Sequence, residues 1–451
     1  MTAKPSLARR ACFEMCSNDK RLLSQSLPMT EPFRPHLPSH AESILRCVVP
    51  RVVPMDAALS QHVSQGYWDW QSQFDRDPHA SPLQHPDFVL AEWEGARVAS
   101  PLKPVLLRAG TDSECVALGI LIPKSIRSGQ VGSVGPSWML HGLRLAGGRF
   151  LSGHESCETQ SSLLAAATKH CRSVGAAFLL IEDLDERSPL SGAVHNAAAH
   201  GCRVFATHET QPRWRIQFPP SADEYWKTFS SRSLSKFRRS LKKFGNVKLE
   251  RVTSLEQIPD FLSAAHDISK ESWQTRQFGL RIRNDEKELH EMSILAQHGL
   301  LRSYLWWIEG RPSAFAICNQ HRGCFRYEEI AYRHEFAQFS PGRVMLQQIV
   351  EDLLQHDSPH TFDFGGGDAE YKRQFANVES RSGTVWLVPR TWRAGAALAY
   401  IRGGRKLRST ARAVVQKYGL ATQARQWIRR GGAAATPAQT NTETEEPSHA
   451  D

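Results

Sequence analysis

The chain has 451 residues, a length that predicts two folded units, and its 41% hydrophobic and 23% charged residues describe a globular protein. No window holds the roughly 18 apolar residues that a membrane-spanning helix needs, which argues against an integral membrane protein. Nine scattered cysteines, an odd number without a Cys-x-x-Cys pair, favour reduced thiols in a cytoplasmic protein over disulfides or a zinc site.

The net charge of +10 is concentrated in two segments. Residues 391–430 carry ten Lys and Arg and no acidic residue, and residues 225–244 carry seven cations, again without an acid. Basic helices of this kind bind nucleic acid, anionic lipid or an acidic partner. A solvated helix face is the alternative for both segments.

The first half of the chain is predicted to hold one folded unit. Residues 1–54 lack hydrophobic periodicity and are rich in Ser, Pro and charge, which predicts a disordered extension before it. The unit itself covers residues 55–214. Hydrophobic patterns predict a helix around 67–70, strands at 88–93, 105–108 and 115–122, a helix at 161–174, a strand at 177–181, a helix at 190–200, and strands near 204 and at 214–218.

The second predicted unit, residues 215–390, repeats this order of elements. The patterns predict a helix at 225–244, a strand at 247–252, a helix at 255–273, strands at 302–308, 314–319 and 325–332, a helix at 341–354, a strand at 361–364, a short helix that holds Tyr371 and Lys372, and a strand at 384–389. A basic helical segment at 391–430 and a disordered tail at 431–451 follow. Such an α/β unit binds its ligand at strand carboxyl ends and at a helix N-terminus.

An anion site is predicted at the start of the helix at 341–354. Ser340 is a favoured N-cap, Pro341 suits the first helical position, and Gly342 lets a phosphate approach the unpaired backbone amides. Arg343 opposes the helix dipole by about 0.3–1 kcal/mol, and a bound anion would reverse that effect.

These features together resemble a known family. They are Tyr225-Trp226 before a basic helix, Trp273, the turn Ser340-Pro341-Gly342, and the run from Phe362-Asp363-Phe364-Gly365 to Tyr371-Lys372. The set resembles GNAT-type acyltransferases of the group associated with bacterial cellulose and exopolysaccharide synthesis, which are distantly similar to FemAB peptidyltransferases. The resemblance covers residues 215–390 and, more weakly, residues 57–214.

The resemblance implies an α/β fold of two GNAT-like lobes in tandem, each a mixed, mostly antiparallel sheet flanked by helices. The lobe at 55–214 is expected to be degenerate, and a basic helical extension follows the lobe at 215–390. Acetyl-CoA or another acyl-CoA is the implied co-substrate, and no metal is implied. The CoA diphosphate is expected on the turn formed by Ser340, Pro341, Gly342, Arg343 and Val344.

Acyl transfer needs a base for the attacking group, a site for the oxyanion and an acid for the leaving thiolate. The resemblance implies that backbone amides of residues 329–332 serve the oxyanion. Glu328 and Glu329 face opposite sides of that strand, so one of them can line the pocket as the base. An ion pair with Arg326 or Arg333 is the alternative role for such a Glu.

Further candidates follow the strand at 361–364. Tyr371 is the candidate general acid, and Lys372 either neutralises a CoA phosphate or the oxyanion or is a solvated helix cation. Asp363 is a candidate substrate-site residue that either caps the turn at 365–367 or orients Lys372. Trp273 either stacks on a ligand or packs in the core. The nineteen histidines show no metal-ligand spacing, so no metal site is predicted.

The leading hypothesis is direct acyl transfer from acyl-CoA to a nitrogen or oxygen of a saccharide or amino-acid acceptor bound between the lobes, in exopolysaccharide or cell-envelope biosynthesis. A first alternative is an aminoacyl-tRNA-dependent transferase, in which residues 232–243 or 391–430 hold tRNA phosphates. Nucleic acid is expected as a partner only in that case. A second alternative is a non-catalytic adaptor of a polysaccharide synthase, with residues 391–430 on an anionic membrane surface.

Overall fold

The structure is a computed structural model that describes residues 50–55, 64–96, 100–128, 138–153, 156–197, 201–206, 210–272, 275, 279–391, 394–396 and 399. Trp273, the predicted extension up to residue 49, the predicted tail and nearly all of the basic segment at 391–430 lie outside these residues. The chain divides into two compact units, Met1–Lys124 with His141–Arg390, and Ser125–Leu140 with Thr391–Asp451. The site described below belongs to the first unit.

The first half of the described chain alternates strands with helices. Its elements are β1 (Arg51–Pro54), α1 (Gln65–Arg76), α2 (Pro86–Ala96), β2 (Val105–Gly110), β3 (Cys115–Ser128), β4 (Trp138–Leu145), β5 (Leu151–Ser152), α3 (Cys157–Ser173), β6 (Leu179–Asp185), α4 (Pro189–His195), β7 (Cys202–Ala206) and β8 (Gln211–Gln217).

The second half holds the elements around the predicted site. They are α5 (Ala222–Lys227), α6 (Ser231–Lys242), β9 (Val247–Val252), α7 (Ile258–Glu271), α8 (Glu286–Gln297), β10 (Ser303–Ile308), β11 (Arg311–His321), β12 (Cys324–Tyr332), a 3-10 helix (His334–Phe339), α9 (Pro341–His356), β13 (Thr361–Gly366), α10 (Glu370–Phe375) and β14 (Val378–Pro389). Within the described residues, no helix combines the length and the hydropathy needed to cross a membrane.

Most predicted elements are present, but the strand predicted at 88–93 is wrong because these residues lie in α2. A short apolar run fits a buried strand and a buried helix equally well. Here Pro86 occupies the start of the helix and Asp87 its first turn, two positions that favour helix formation. Phe88, Val89 and Trp93 are then buried in the core.

Three further differences concern elements with weak sequence patterns. Arg51–Pro54, inside the predicted extension, forms β1 and pairs with β2. The amphipathic helix α8 had not been predicted. The helix predicted at 225–244 is two helices, because Ser230 accepts a hydrogen bond from the Ser233 amide and caps a new helix there.

One sheet of fourteen strands connects the described parts of the first unit. The strand order is β1-β2-β3-β4-β6-β14-β8-β13-β12-β11-β10-β9, with β5 on β3 and β7 on β14. The pairs β4–β6 and β12–β13 are parallel, and the other pairs with a described register are antiparallel. The predicted boundary between residues 214 and 215 falls inside β8, and the division of the chain into domains stays a prediction.

Helices cover both faces of the strands in the second half. Leu305 and Phe315 face a core formed with α7 and α8, whereas Trp306 and Ala316 face a core formed with α6 and α9. This alternation is the period of two expected of strands buried on both sides. The helices therefore pack on both faces of β12, and the core with α6 and α9 also contains Phe362 and Phe364 of β13.

A buried network of charges holds β13 in the middle of the sheet. The Asp363 carboxylate accepts hydrogen bonds from Arg213 at 2.6 and 3.0 Å and pairs with Arg215 at 3.4 Å, and Arg215 also binds Asp185 at 2.6 Å. Burial by itself would raise the pKa of Asp363, but the two guanidinium groups outweigh it and hold the pKa below its usual range. The network thus joins β13 to β8 and β6.

Asp363→Asn should lower the free energy of unfolding by about 3–5 kcal/mol, because it leaves Arg213 buried without its charge partner. The matched control is Asp267→Asn, whose partner Lys270 lies at 3.0 Å with both side chains more than half exposed. That control should cost about 0.5 kcal/mol or less. Urea denaturation measures both variants, and equal effects would show that the buried network contributes no more than a surface pair.

Candidate active site

A β-bulge in β12 sets the direction of the candidate side chains. Ile317 of β11 pairs with Glu329 and the next residue, Cys318, pairs with Tyr327, so Glu328 has no partner of its own. An extra residue shifts the alternation of a strand by one position. Tyr327 consequently packs in the core beneath α9, whereas Ala331 packs in the core beneath α7.

The parallel pair β12–β13 ends just before this bulge. The register contains three pairs, Cys324–Thr361, Phe325–Phe362 and Arg326–Asp363. Beyond Arg326, β12 continues along β11, while β13 continues along β8 with an irregularity after Asp363. The backbones of residues 327–332 and 364–366 therefore face one another without ladder hydrogen bonds.

Glu329 is buried beside this separation, and Glu328 is exposed. Burial raises the pKa of the Glu329 carboxyl to about 7, against the opposing effect of an ion pair with Arg281. The two glutamates thus face different environments, as their positions on a strand predicted. A carboxyl that ionises near neutrality is suited to act as a general base.

The partner of Glu329 is an arginine that the sequence analysis missed. Arg326 donates instead to the carbonyls of His79 and Ala80, and Arg333 pairs with Glu271. The segment that carries Arg281 is also held at Glu288, which accepts from the Arg283 amide at 2.7 Å. Burial raises the pKa of Glu288 to about 7 as well.

The residues after β13 lie on the other side of the separation. Lys372 is buried, and its ammonium donates to the carbonyls of Phe364 and Gly366, each at 3.0 Å. It therefore fastens α10 to the end of β13. The ring of Tyr371 lies 6.2 Å from that of Phe364. Asp363 accepts from the Gly365 amide at 2.9 Å, which is the turn-capping contact that its position had suggested.

The start of α9 is packed against β12. Ser340 takes the left-handed conformation (φ 57°), and its side chain makes no capping bond, so the side-chain cap predicted for it is wrong. Its carbonyl accepts from the amides of Arg343 and Val344, so these two amides are not unpaired as predicted. A Cβ on Gly342 would lie 3.3 Å from the Ile330 side chain, so this glycine permits close packing of helix on strand. The Arg343 guanidinium lies 5.7 Å from the ring centre of Phe237.

A group of metal-binding residue types occurs elsewhere in the first unit. The ligand atoms of His85, Asp87 and His298 lie within 4.8 Å of one another. The spacing of the histidines does not predict this group, because 211 residues separate Asp87 from His298. Asp87 already accepts from the Tyr67 hydroxyl at 2.9 Å and pairs with His298 at 2.7 Å.

Comparison with known proteins agrees with this geometry. Residues 230–373, which contain the bulged strand, α9 and α10 up to Arg373, match the model of the acetyltransferase (GNAT) domain family. The match covers 144 of the 451 residues. No curated protein sequence matches the chain significantly.

Solved structures resemble the chain at low sequence identity. FemX is 14% identical, and the match covers 74% of this chain and 96% of FemX with a TM-score of 0.51. A tandem GNAT protein from the clavulanic acid biosynthesis pathway is 13% identical over 75% of this chain and 98% of its own, with a TM-score of 0.40. The C-terminal domain of a putative lysylphosphatidylglycerol synthetase from Agrobacterium fabrum is 13% identical over 63% and 84%, with a TM-score of 0.41.

At these identities the FemX likeness is evidence of fold alone. The predicted α/β class, with a mixed, mostly antiparallel sheet flanked by helices, is confirmed. The parallel strand pair joined through a helix, as in β12, α9 and β13, also occurs earlier in the chain, where α3 connects β4 and β6. There the parallel register contains two pairs, Leu143–Leu179 and Arg144–Leu180.

The raised pKa of Glu329 should make stability depend on pH. Its folded pKa of about 7 lies above the ordinary value of 4.5, so protonation of Glu329 stabilises the fold below pH 4.5, and this stabilisation is lost as the pH rises to about 7. Relative to Glu329→Gln, wild type should lose on the order of 3 kcal/mol across this window.

Urea titrations at several pH values measure that difference. The matched control is Glu328→Gln, which removes the same charged group from the exposed neighbour on the strand. A constant difference between wild type and Glu329→Gln from pH 4.5 to 8 would contradict the burial of an ionisable Glu329.

Proposed function

We propose that the chain transfers an acyl group, acetyl by default, from acyl-CoA directly to a nitrogen or oxygen of an acceptor. The observation that carries the proposal is Glu329, a buried carboxyl with a pKa of about 7 on the bulged strand of the GNAT domain. Its strand is followed by a short 3-10 helix and then by α9, at whose start a phosphate group would bind.

The donor would lie along the separation of β12 and β13. Its diphosphate would bind at residues 340–344, where the positive end of the α9 dipole and the Arg343 cation act together. The Nε atom of Arg343 is buried and has no hydrogen-bond partner within the described chain, which leaves a donor for such a ligand. The thioester would then extend towards Tyr327 and Glu329.

The reaction divides among four groups. Glu329 takes the proton of the attacking amine or hydroxyl, and backbone amides of residues 329–332 bind the oxyanion of the tetrahedral intermediate. The bond from the acceptor to the acyl carbon forms as the carbon–sulfur bond breaks. Tyr371 gives a proton to the thiolate of CoA, and Lys372 holds α10 in place against β13.

The acceptor is proposed only as a chemical class. A saccharide or amino-acid acceptor in exopolysaccharide or cell-envelope biosynthesis is supported by the resemblance of the sequence motifs. A cytoplasmic location and a peripheral contact of residues 391–430 with an anionic membrane are supported by cysteine usage and by the charge of that segment.

The matched variants Arg343→Glu and Lys270→Glu test the donor site. Acetyl-CoA at 100 times its dissociation constant should stabilise wild type by about 2.7 kcal/mol, which a thermal shift detects. Arg343→Glu should weaken binding roughly tenfold, because it puts an anion at the helix N-terminus beside the diphosphate. Lys270 is an exposed cation on α7, and its reversal should leave the shift unchanged.

If neither acetyl-CoA, longer acyl-CoAs nor free CoA shifts wild type, the acyl-CoA proposal fails. If Arg343→Glu and Lys270→Glu respond like wild type, a CoA site exists but not at α9.

A second candidate is an aminoacyl-tRNA donor, which the surface of α6 favours. Its apolar side chains Leu234, Phe237 and Leu241 face the core, and its cations are exposed. These exposed cations are Arg232, Lys236, Arg238, Arg239 and Lys242, followed by Lys243. A row of cations without an acid suits a phosphate backbone.

Charge reversal on α6 separates the two candidates. If tRNA is the donor, wild type should bind it with an affinity that falls steeply with salt, and Lys236→Glu with Arg239→Glu should reduce the salt slope by about two. The acyl-CoA proposal predicts no specific tRNA binding and an unchanged acetyl-CoA shift in this double variant. Filter binding from 50 to 200 mM salt measures the slope.

A further inference from the structure

Tyr327 is a buried tyrosine beside the strand separation, directly before the bulge residue Glu328. Its side chain is only 6% exposed. Its ring lies 5.6 Å from that of Phe362 and 6.1 Å from that of Phe364, both on β13. The ring therefore bridges β12 and β13 at the point where their backbone pairing has ended.

Among the residues that the structure describes, none is a hydrogen-bond partner of the Tyr327 hydroxyl. Two other buried tyrosines of the same core are satisfied: Tyr225 donates to the Phe375 carbonyl at 3.0 Å, and Tyr304 donates to Asp352 at 2.7 Å. A buried hydroxyl without a partner loses its hydration and gains nothing in return, whereas a phenylalanine would fill the same space without that cost. A partner other than the described residues would account for the hydroxyl.

The surroundings of the hydroxyl indicate where that partner lies. Burial raises the pKa of Tyr327 well above its ordinary value, and the neighbouring Tyr371, Cys318 and Glu329 raise it further. The hydroxyl therefore stays protonated at neutral pH and acts as a hydrogen-bond donor. The candidate acid Tyr371 packs near the same ring as Tyr327, because the ring of Phe364 lies 6.1 Å from that of Tyr327 and 6.2 Å from that of Tyr371.

We propose that the Tyr327 hydroxyl donates a hydrogen bond to the acyl thioester between β12 and β13. Tyr327 is then a donor-binding residue that recognises the reacting end of the ligand, whereas Arg343 recognises its phosphates. This inference rests on the proposed use of acyl-CoA. It adds to that proposal a residue that binds the thioester, and neither the sequence motifs nor the family match identifies this residue.

Tyr327→Phe tests the assignment in the full chain, with Tyr225→Phe as the matched control. Without ligand, Tyr327→Phe should melt at the same temperature as wild type or higher, because it removes an unsatisfied group. Tyr225→Phe should melt lower, because it removes a hydrogen bond and leaves the Phe375 carbonyl without that donor. With ligand, Tyr327→Phe should bind acetyl-CoA roughly 5- to 10-fold more weakly, and Tyr225→Phe should bind it like wild type.

A fragment of the donor distinguishes binding of the phosphates from binding of the thioester. Adenosine 3′-phosphate 5′-diphosphate carries the diphosphate of CoA but no thioester, so Tyr327→Phe should leave its affinity unchanged and Arg343→Glu should weaken it. Calorimetry of acetyl-CoA and of this fragment measures both effects.

The outcomes distinguish an error in the role of Tyr327 from an error in the proposed function. If wild type binds acetyl-CoA and Tyr327→Phe binds it equally well, or melts lower like Tyr225→Phe, the assignment of Tyr327 is wrong while the proposed function stands. If Tyr327→Phe weakens the fragment and acetyl-CoA to the same extent, the hydroxyl does not meet the thioester. If wild type binds no acyl-CoA, both the function and the assignment fall.

Discussion

The parallel pairing of β12 with β13 stops after three residue pairs, and the candidate site depends on that early end. On its other edge β13 pairs with β8, and β12 has an extra residue, Glu328, without a partner on β11. Since a bulge reverses the alternation of a strand, Tyr327 and Glu329 reach opposite faces of the sheet although only one residue lies between them. One face carries α9 and its N-terminus, and the other carries α7 and α8. A donor and an acceptor can therefore approach the same stretch of β12 from different sides.

Two buried carboxyls on neighbouring strands show how the number of charge partners decides their behaviour. Asp363 has two arginines and an amide as partners, and its pKa is held below the usual range. Glu329 has one arginine, two further glutamates nearby and a pKa raised by burial to about 7. The first carboxylate stays ionised and fixes β13 in the sheet, whereas the second can gain and lose a proton near neutral pH. Asp363 thus has a structural role, and Glu329 is the acid that can take part in proton transfer.

The sequence predicted local features well and long-range ones poorly. The helix predicted at 341–354 and the strand predicted at 247–252 agree closely with α9 and β9, because strong hydrophobic periods lie between clear turn signals. The contrasting environments of Glu328 and Glu329 followed from the strand period alone. Arg281 was missed because 48 residues separate it from Glu329 and no pattern surrounds it. The bulge was missed because it is set by the register of β11, which a single strand does not encode. The apolar run at 88–93 is compatible with a buried strand and with a buried helix, and in the structure it packs in the core as a helix.

Hydrogen–deuterium exchange with and without acetyl-CoA tests most directly whether the separation of β12 and β13 is the donor site. Exchange slows where backbone amides become covered or hydrogen-bonded, so each peptide of the chain reports on its own segment. The account predicts slower exchange in peptides that contain residues 327–332 and 340–344, and unchanged exchange in α3 and in β1–β3. Protection confined to other segments, with these two unchanged, would contradict it.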